Sequence, residues 1–364
     1  MSKAPRVIII TMIAIVRMNL DIDPKEIKYS IRLKRGAASL IELGKKYQKI
    51  VILSHRGRPS GRDAKLSLKP VAEALSKQSK KKIVFIDNKD LSKAKDIILS
   101  GRKGVYMIEN LRFLPGEKSM SPVLARSLAA LGEVFINDDF ATSHRASAST
   151  VGITSFIKSI PGPTLKAEID ALKKAIKRPK HPFVLVVGGA KMSDKLCVIE
   201  ALLPICDKVL LGGGVGNTVM KASGLDIGSS IFDKDLIDEA RRLARDDKVV
   251  FPADCRVKND NILDIGPNTS ALYSDIIKKA GTVIWAGPLG NFEKKTFAKG
   301  SEDIAKSIAQ SRAFTLVGGG ETTSIIMGLG LEKKISFLST GGGAMLDFLA
   351  GKKMPALEAL KIKY

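Results

Sequence analysis

Cysteine, histidine, aromatic residues and acidic charge are all in short supply in this chain, and each shortage removes a class of protein. The three cysteines, Cys197, Cys206 and Cys255, form neither a Cys-x-x-Cys pair nor a disulfide framework, so a reducing cytoplasm is the expected compartment. Aromatics make up 5% of the residues, with a single tryptophan, and no aromatic-rich nucleic-acid motif accompanies the basic residues. No apolar run is long enough to span a bilayer. The run Val7 to Val16 follows Lys3 and Arg6 and superficially resembles a signal peptide. It lacks a small-residue cleavage site and ends at Arg17, and its β-branched content suits a buried strand. Membrane association is therefore not expected.

Asp and Glu number 37 against 60 Lys and Arg, for a net charge of +23. That excess raises nucleic acid, acidic lipid or polyanionic metabolites as partners. The charge is spread along the chain in pairs and triplets such as Lys45-Lys46, Lys80-Lys81-Lys82, Lys173-Lys174 and Lys333-Lys334. A solvated basic surface is the reading preferred over a nucleic-acid-binding one.

Glycine and aliphatic residues are plentiful. With 364 residues, 45% of them hydrophobic and 32 of them glycine, the chain suits two α/β domains of aliphatic parallel strands joined to helices by Gly-rich turns, although one large barrel is possible at this length. Strands are expected at 7–16, 50–53, 83–86, 105–108 and 134–136, with helices at 35–47 and 68–79 between them. A second series covers 183–187, 209–211, 249–251, 282–285, 314–317 and 335–338. Between the series, Ser159-Ile160-Pro161-Gly162-Pro163 reads as a break and 165–178 as a connecting helix ending at Pro179. The expected fold is two Rossmann-like domains, each a mainly parallel sheet flanked by helices. The expected division is 1–162 with 347–364 returning to it, a hinge at 163–180, and 181–346.

Four glycine clusters in the second half follow predicted strands: Gly188-Gly189-Ala190-Lys191, Gly212-Gly213-Gly214, Gly318-Gly319-Gly320-Glu321-Thr322 and Ser339-Thr340-Gly341-Gly342-Gly343-Ala344. Glycine permits close backbone approach, and the amides of a following helix N-terminus favour phosphate. One such turn is weak evidence, since packing alone often demands it. Four in one domain point to a phosphate-rich cleft. No Gly-x-x-x-x-Gly-Lys-Ser/Thr loop or protein-kinase catalytic set is present. The first half instead places arginines and histidines after strands, in Ser54-His55-Arg56-Gly57-Arg58-Pro59, Glu109-Asn110-Leu111-Arg112-Phe113 and Asn137 to Ala146. A guanidinium fork matches two phosphate or carboxylate oxygens at once, so their recurrence suggests an anion cradle. His181, before Pro182, has no such context and reads as structural or surface. Trp285, at a strand end beside Gly287-Pro288, serves packing or nucleotide contact.

These strings, in this order from about Val16 to Leu360, resemble the phosphoglycerate kinase family. The most specific are Gly188 to Lys195, Leu263-Asp264-Ile265-Gly266-Pro267, Gly287-Pro288-Leu289-Gly290-Asn291-Phe292-Glu293 and Ser339 to Ala344. The resemblance implies direct, reversible phosphoryl transfer from 1,3-bisphosphoglycerate to ADP, giving 3-phosphoglycerate and ATP, by a glycolytic phosphotransferase with a carboxyl group as acceptor. Mg²⁺ would accompany the nucleotide, and a cytoplasmic monomer is expected. Asn19, Asp21, Arg32, His55, Arg58, Arg112, His144 and Arg145 would hold the acid in the N-terminal domain. Gly189, Ala190, Lys191 and Lys195 would hold the nucleotide phosphates and the moving group. Gly212, Gly213 and Gly214 would border the adenine, with Pro288 beside the nucleotide and Glu293 at the ribose. Gly319, Gly320, Glu321 and Thr322 would take the phosphate tail, Glu321 facing the Mg²⁺. Arg32, Lys191 and the amides of Gly341, Gly342 and Gly343 would neutralise the transferring group, and the lobes would close to exclude water.

Four positions depart from the family's pattern. Arg17-Met18-Asn19-Leu20-Asp21 exchanges the usual carboxylate and amide. Ser147 replaces a second histidine, Ala286 an asparagine, and Glu321 an aspartate. They motivate a rival reading, a catalytically weakened homologue retained as a binding protein, beside the basic nucleic-acid-binding alternative.

Overall fold

A computed structural model describes residues 10–87 and 89–364 of the chain; the expectations for Lys3, Arg6 and residues 7–9 lie outside them. The chain forms two compact units, one of residues up to Ile169 together with Lys353–Tyr364, the other Asp170–Lys352.

The first unit runs β1 (Ile10–Met18), α1 (Ile31–Leu43), β2 (Tyr47–Leu53), α2 (Lys69–Ser79), β3 (Ile83–Ile86) and α3 (Leu91–Ser100). It continues with β4 (Gly104–Ile108), α4 (Pro122–Ala129), β5 (Val134–Asp138), β6 (Ser159–Pro161) and the start of α5 (Pro163–Lys177), whose residues from Asp170 on belong to the second unit. Its six strands are ordered β3-β4-β2-β1-β5-β6 and pair in parallel. The period-two alternation of a strand distributes β1 between two layers. Ala14, Val16 and Met18 pack with Leu33, Leu40 and Leu75 of α1 and α2. Ile13 and Ile15 pack with Ile98, Leu124 and Leu128 of α3 and α4. Arg17 therefore lies in register with the second set, where the apolar layer ends.

The helix expected at 35–47 is displaced. Ser30 accepts the Leu33 amide hydrogen bond and starts α1 four residues earlier, and Tyr47 already belongs to β2. An N-cap serine of this kind stabilises a helix by about 1 kcal/mol. Its buried face, Leu33, Ala37, Leu40 and Leu43, follows the three- and four-residue spacing. The break read at 159–163 is partly a strand. Residues 159–161 form β6 against Phe135, Ile136 and Asn137, and Pro161 is tolerated because β6 is an edge that needs no further partner.

The second unit runs β7 (Phe183–Val187), α6 (Leu196–Leu202), β8 (Lys208–Leu211), α7 (Gly213–Ala222), α8 (Ile237–Ala244) and β9 (Val249–Val250). A hairpin of β10 (Cys255–Lys258) and β11 (Asn261–Ile265), absent from the expected strands, turns at Asn259-Asp260 with both φ angles positive and precedes α9 (Pro267–Lys278). Then come β12 (Thr282–Ala286), α10 (Lys299–Gln310), β13 (Phe314–Gly318), α11 (Gly320–Gly328), β14 (Phe337–Ser339) and α12 (Gly343–Leu349). The last helix, α13 (Pro355–Ala359), belongs to the first unit. The parallel sheet is ordered β14-β13-β12-β7-β8-β9. All five residues of β7 and of β12 are buried, as unbroken apolar runs in a sheet covered on both faces must be. Among the described residues no helix is long and apolar enough to cross a membrane.

Candidate active site

On the first unit the basic strings converge beyond the C-terminal ends of β1, β2, β4 and β5. A cavity of about 370 Å³ there is lined by Arg58, Arg112 and Arg145, with Arg17, Lys118 and Thr142 contributing. Arg112 is placed by the short turn after β4, where the Asn110 carboxamide accepts its amide hydrogen bond, and its guanidinium donates to the Gly57 carbonyl. Burial pushes the pKa of Arg112 down. Asp21 opposes that effect, while the guanidiniums of Arg17, Arg145 and Arg58 add to it, as expected where positive groups crowd together. Arg145 donates through Nε to His144 Nε2 at 2.9 Å.

The other predicted acid-binding residues, Asn19, Asp21, Arg32, His55 and His144, are not among those lining this cavity. Asp21 accepts the Gly57 amide at 2.8 Å, tying the turn after β1 to the turn after β2. Its carbonyl accepts from Arg32, on the first turn of α1. Asn19 Oδ1 faces the Asp21 amide at a long 3.4 Å. In the exchanged pair, therefore, Asp21 has become a loop clamp. His55 is 3% exposed, and its pKa is well below the usual value because of burial, reinforced by Arg17, Arg112, Arg32 and Arg145. Arg56 is a bystander: it donates to the Lys65 and Ser67 carbonyls and holds the following loop. Ser147, at the substituted histidine position, shares a hydrogen bond with Thr150.

Sequence reasoning passed over Arg17, Lys118 and Thr142. For Arg17 a signal existed: it is a charge one residue before the end of a buried strand.

On the second unit the glycine clusters follow β7, β8, β13 and β14, all at the C-terminal edge of the sheet, where open α/β sheets offer a crevice. Their close approach is real. A Cβ on Gly188 would stand 2.0 Å from the Pro288 carbonyl oxygen, and one on Gly214 would stand 2.0 Å from that of Ala190. Gly189 and Gly319 both adopt φ of +102°, a region that side chains disfavour. The turns also support one another. Gly189 donates to the Pro288 carbonyl at 2.7 Å and Gly213 to that of Leu289 at 2.9 Å, while Thr322 Oγ1 accepts from the Gly287 amide at 2.9 Å. The Thr322 hydroxyl oxygen thus braces a neighbouring turn with one of its lone pairs. Gly342, with φ of +52°, and Gly343 have open space on their Cβ side.

Lys191 and Glu293 are exposed. Burial lowers the pKa of Lys195, and the carboxylates of Asp194 and Glu321 oppose that effect. Glu321 is exposed in the first turn of α11. Trp285 is fully buried and donates to the Gly287 carbonyl, so it packs. His181 pairs on the surface with Asp207. Ala286, where the family has an asparagine, is a buried strand residue paired with Val187 and Gly318.

The family model described as phosphoglycerate kinase matches residues 11–352. The phosphoglycerate kinase of Francisella tularensis subsp. tularensis is 37% identical, with 96% of this chain and 95% of that protein covered. That of Pseudothermotoga lettingae is 40% identical, with 87% of each covered. The solved structure of phosphoglycerate kinase from Coxiella burnetii matches with a TM-score of 0.83 and 34% identity, covering 98% of this chain and 97% of that one. Similarity this extensive, carried by fold and sequence alike, places the chain in the phosphoglycerate kinase family.

Proposed function

We propose that this protein catalyses reversible phosphoryl transfer between 1,3-bisphosphoglycerate and ADP, with 3-phosphoglycerate and ATP as products. The observation that carries this reading is the family match over residues 11–352, and the basic cavity of the first unit is its chemical counterpart. A terminal phosphate oxygen of ADP attacks the acyl phosphorus, the bond to the carboxyl oxygen breaks, and its electron pair returns to the carboxylate. No side-chain nucleophile is needed. Catalysis then rests on alignment and on neutralising the transferring oxygens.

In this reading Arg58, Arg112 and Arg145, with His55 and His144, hold the phosphate end of the acid, and Asn19 and Asp21 orient its hydroxyl and carboxylate. Arg32, Lys191 and the amides of Gly341 to Gly343 meet the charge that develops in transfer. Gly189, Ala190 and Lys195 line the nucleotide phosphates, Gly212 to Gly214 and Pro288 border the base, and Glu293 meets the ribose. Gly319, Gly320 and Thr322 complete the phosphate side, the Thr322 hydroxyl keeping its O–H donor while its oxygen accepts from Gly287.

Bound Mg²⁺ would supply charge neutralisation to the nucleotide phosphates in this reading. Among the described residues no group of three or more His, Cys, Asp or Glu side chains forms a cation cage. That donor set fits a Mg²⁺ held by one carboxylate plus substrate phosphates and water, and exposed Glu321 supplies the carboxylate. A coupled steady-state assay with 1,3-bisphosphoglycerate and Mg-ADP, run also in reverse, tests the proposal. Turnover in both directions supports it. Binding of both substrates without turnover would instead establish the weakened homologue.

A further inference from the structure

The side chain of Arg17 is 2% exposed, and nearly all of its donors are taken. Nε donates to Ser149 Oγ at 3.1 Å. Nη1 donates to the Met18 carbonyl at 2.7 Å and pairs with Asp139 Oδ2 at 3.1 Å. Nη2 lies 2.7 Å from His55 Nδ1. The anchors are themselves anchored: the Ser149 hydroxyl donates to Glu117 Oε1 at 2.5 Å and its amide to Oε2 at 3.1 Å, while Asp139 accepts from the Thr142 amide and hydroxyl. A guanidinium held on so many sides cannot swing out to meet a ligand. Although it borders the cavity, these bonds make it first of all a support for a neighbour.

That neighbour is His55. Guanidinium nitrogens donate and never accept, so the 2.7 Å contact requires the Nδ1 lone pair to be the acceptor. A neutral imidazole with a bare Nδ1 carries its proton on Nε2. Protonating Nδ1 would set two donors against each other in a site 3% exposed. Nε2 faces Asp21 Oδ2 at 3.7 Å, a separation too long for a hydrogen bond. With a neutral ring that contact is not an ion pair. The charged groups acting on His55 are Arg17, Arg112, Arg32 and Arg145, which disfavour the imidazolium, and, among the described residues, the Asp21 carboxylate facing the ring nitrogen.

We propose that Arg17 is a positioning residue of the acid cradle, which by donating to Nδ1 holds His55 neutral and in the Nε2–H tautomer. His55 then presents the substrate with one directed, uncharged donor, and the positive charge of the site resides in its arginines. The inference rests on the reading of this cavity as the acid site, but its first test needs no substrate.

Protein labelled with ¹⁵N at its three histidines is followed by long-range ¹H–¹⁵N correlation from pH 5 to 8, with His55 identified by the signals lost in His55→Gln. The expected result is an unprotonated Nδ1 and a protonated Nε2 that do not change over that range. Protonation at Nδ1, or titration between pH 6 and 7, overturns the proposal even if the enzyme is active. Arg17→Lys keeps the charge but cannot serve Ser149, Asp139, Met18 and His55 together. In that variant His55 should show both tautomers and titrate. The ratio of variant to wild-type KM for 3-phosphoglycerate should then change by about tenfold across the range as a charge-assisted bond replaces a neutral one, with the kcat ratio steady. A purely structural role for Arg17 would lower stability and leave that ratio independent of pH. Should Arg17→Lys not fold, the wild-type tautomer still decides.

Discussion

The two units carry similar sheets and opposite chemistry at their strand ends. In the first, the loops beyond β1, β2, β4 and β5 bear guanidinium and imidazole groups, among them His55, which meets a buried network of Arg17, Asp139, Ser149 and Glu117. In the second, the corresponding turns are glycine and offer backbone amides, with Gly188 and Gly214 pressed against neighbouring carbonyls. A side-chain donor can be adjusted by rotamer and loses conformational entropy when it is fixed. A backbone donor is fixed already by the fold, but tolerates no added atom. The first unit should therefore forgive conservative change at its rim and fail when an inner support is removed. The second should fail wherever a Cβ meets backbone.

The largest expected effects test whether either unit carries the chemistry alone. Arg32→Ala in the first and Lys191→Ala in the second should each depress kcat by about 10²-fold, or roughly 2.7 kcal/mol of transition-state stabilisation, while KM moves less. Steady-state kinetics in both directions will show it, and a near-normal kcat in either variant would leave the charge neutralisation to the other unit. Next in size is the backbone side. Gly188→Ala and Gly214→Ala should weaken nucleotide binding by at least about tenfold in calorimetry, with 3-phosphoglycerate affinity unchanged, and should lower Tm by several degrees at about 2–4 °C per kcal/mol. Gly320→Ala, which meets nothing within 4 Å, should leave Tm as it is. Equal losses at Gly188 and Gly320 would show that close approach is not what those glycines provide.

A smaller effect is expected at Glu321. Glu321→Gln should raise the Mg²⁺ concentration for half-maximal rate several-fold, and Glu321→Asp should retain most activity, since either carboxylate can reach the ion directly or through a retained water. An unchanged Mg²⁺ dependence with lowered thermal stability would assign Glu321 to the helix N-terminus instead.

The smallest effect is a matched pair. Asp138 in the first unit accepts the Thr164 and Leu165 amides at the start of α5. Asp264 in the second accepts the Gly300 amide in α10. Burial pushes both carboxyls up to about 6. A carboxyl whose folded pKa lies above its unfolded value of 3.8 binds its proton more tightly when folded, so its favourable contribution is present below pH 4 and lost as pH rises through 6. Asp138→Asn and Asp264→Asn keep an acceptor oxygen without the titration. Relative to wild type, each should gain Tm between pH 4 and 7, which thermal melts across that range will measure. A gain confined to one variant would locate the pH sensitivity in one unit.

Much of this protein was legible in the sequence because its signals are local. Aliphatic runs set β7 and β12 as buried strands, and three- and four-residue spacing announced α1, though its start at Ser30 and its end before Tyr47 were missed. Glycine order along the chain was specific enough to carry the family resemblance. What the sequence left undetermined depends on partners distant in the chain. The short β6 draws its order from β5, and Pro161 concealed it. The hairpin of β10 and β11 does carry a signal, the Cys-Arg-Val-Lys alternation before Asn259-Asp260, but over four residues it is too short to stand out. His55 and Arg56 are adjacent and both basic residue types, yet one meets Arg17 and the other bonds the Lys65 and Ser67 carbonyls. Arg17 looked like the end of an apolar run. Its function as a support is decided by Ser149, Asp139 and His55, which lie far away in sequence and reach it only when β1, β2 and β5 align. Hydrogen-bond direction and protonation state are properties of such assembled contacts, and tertiary packing alone decides them.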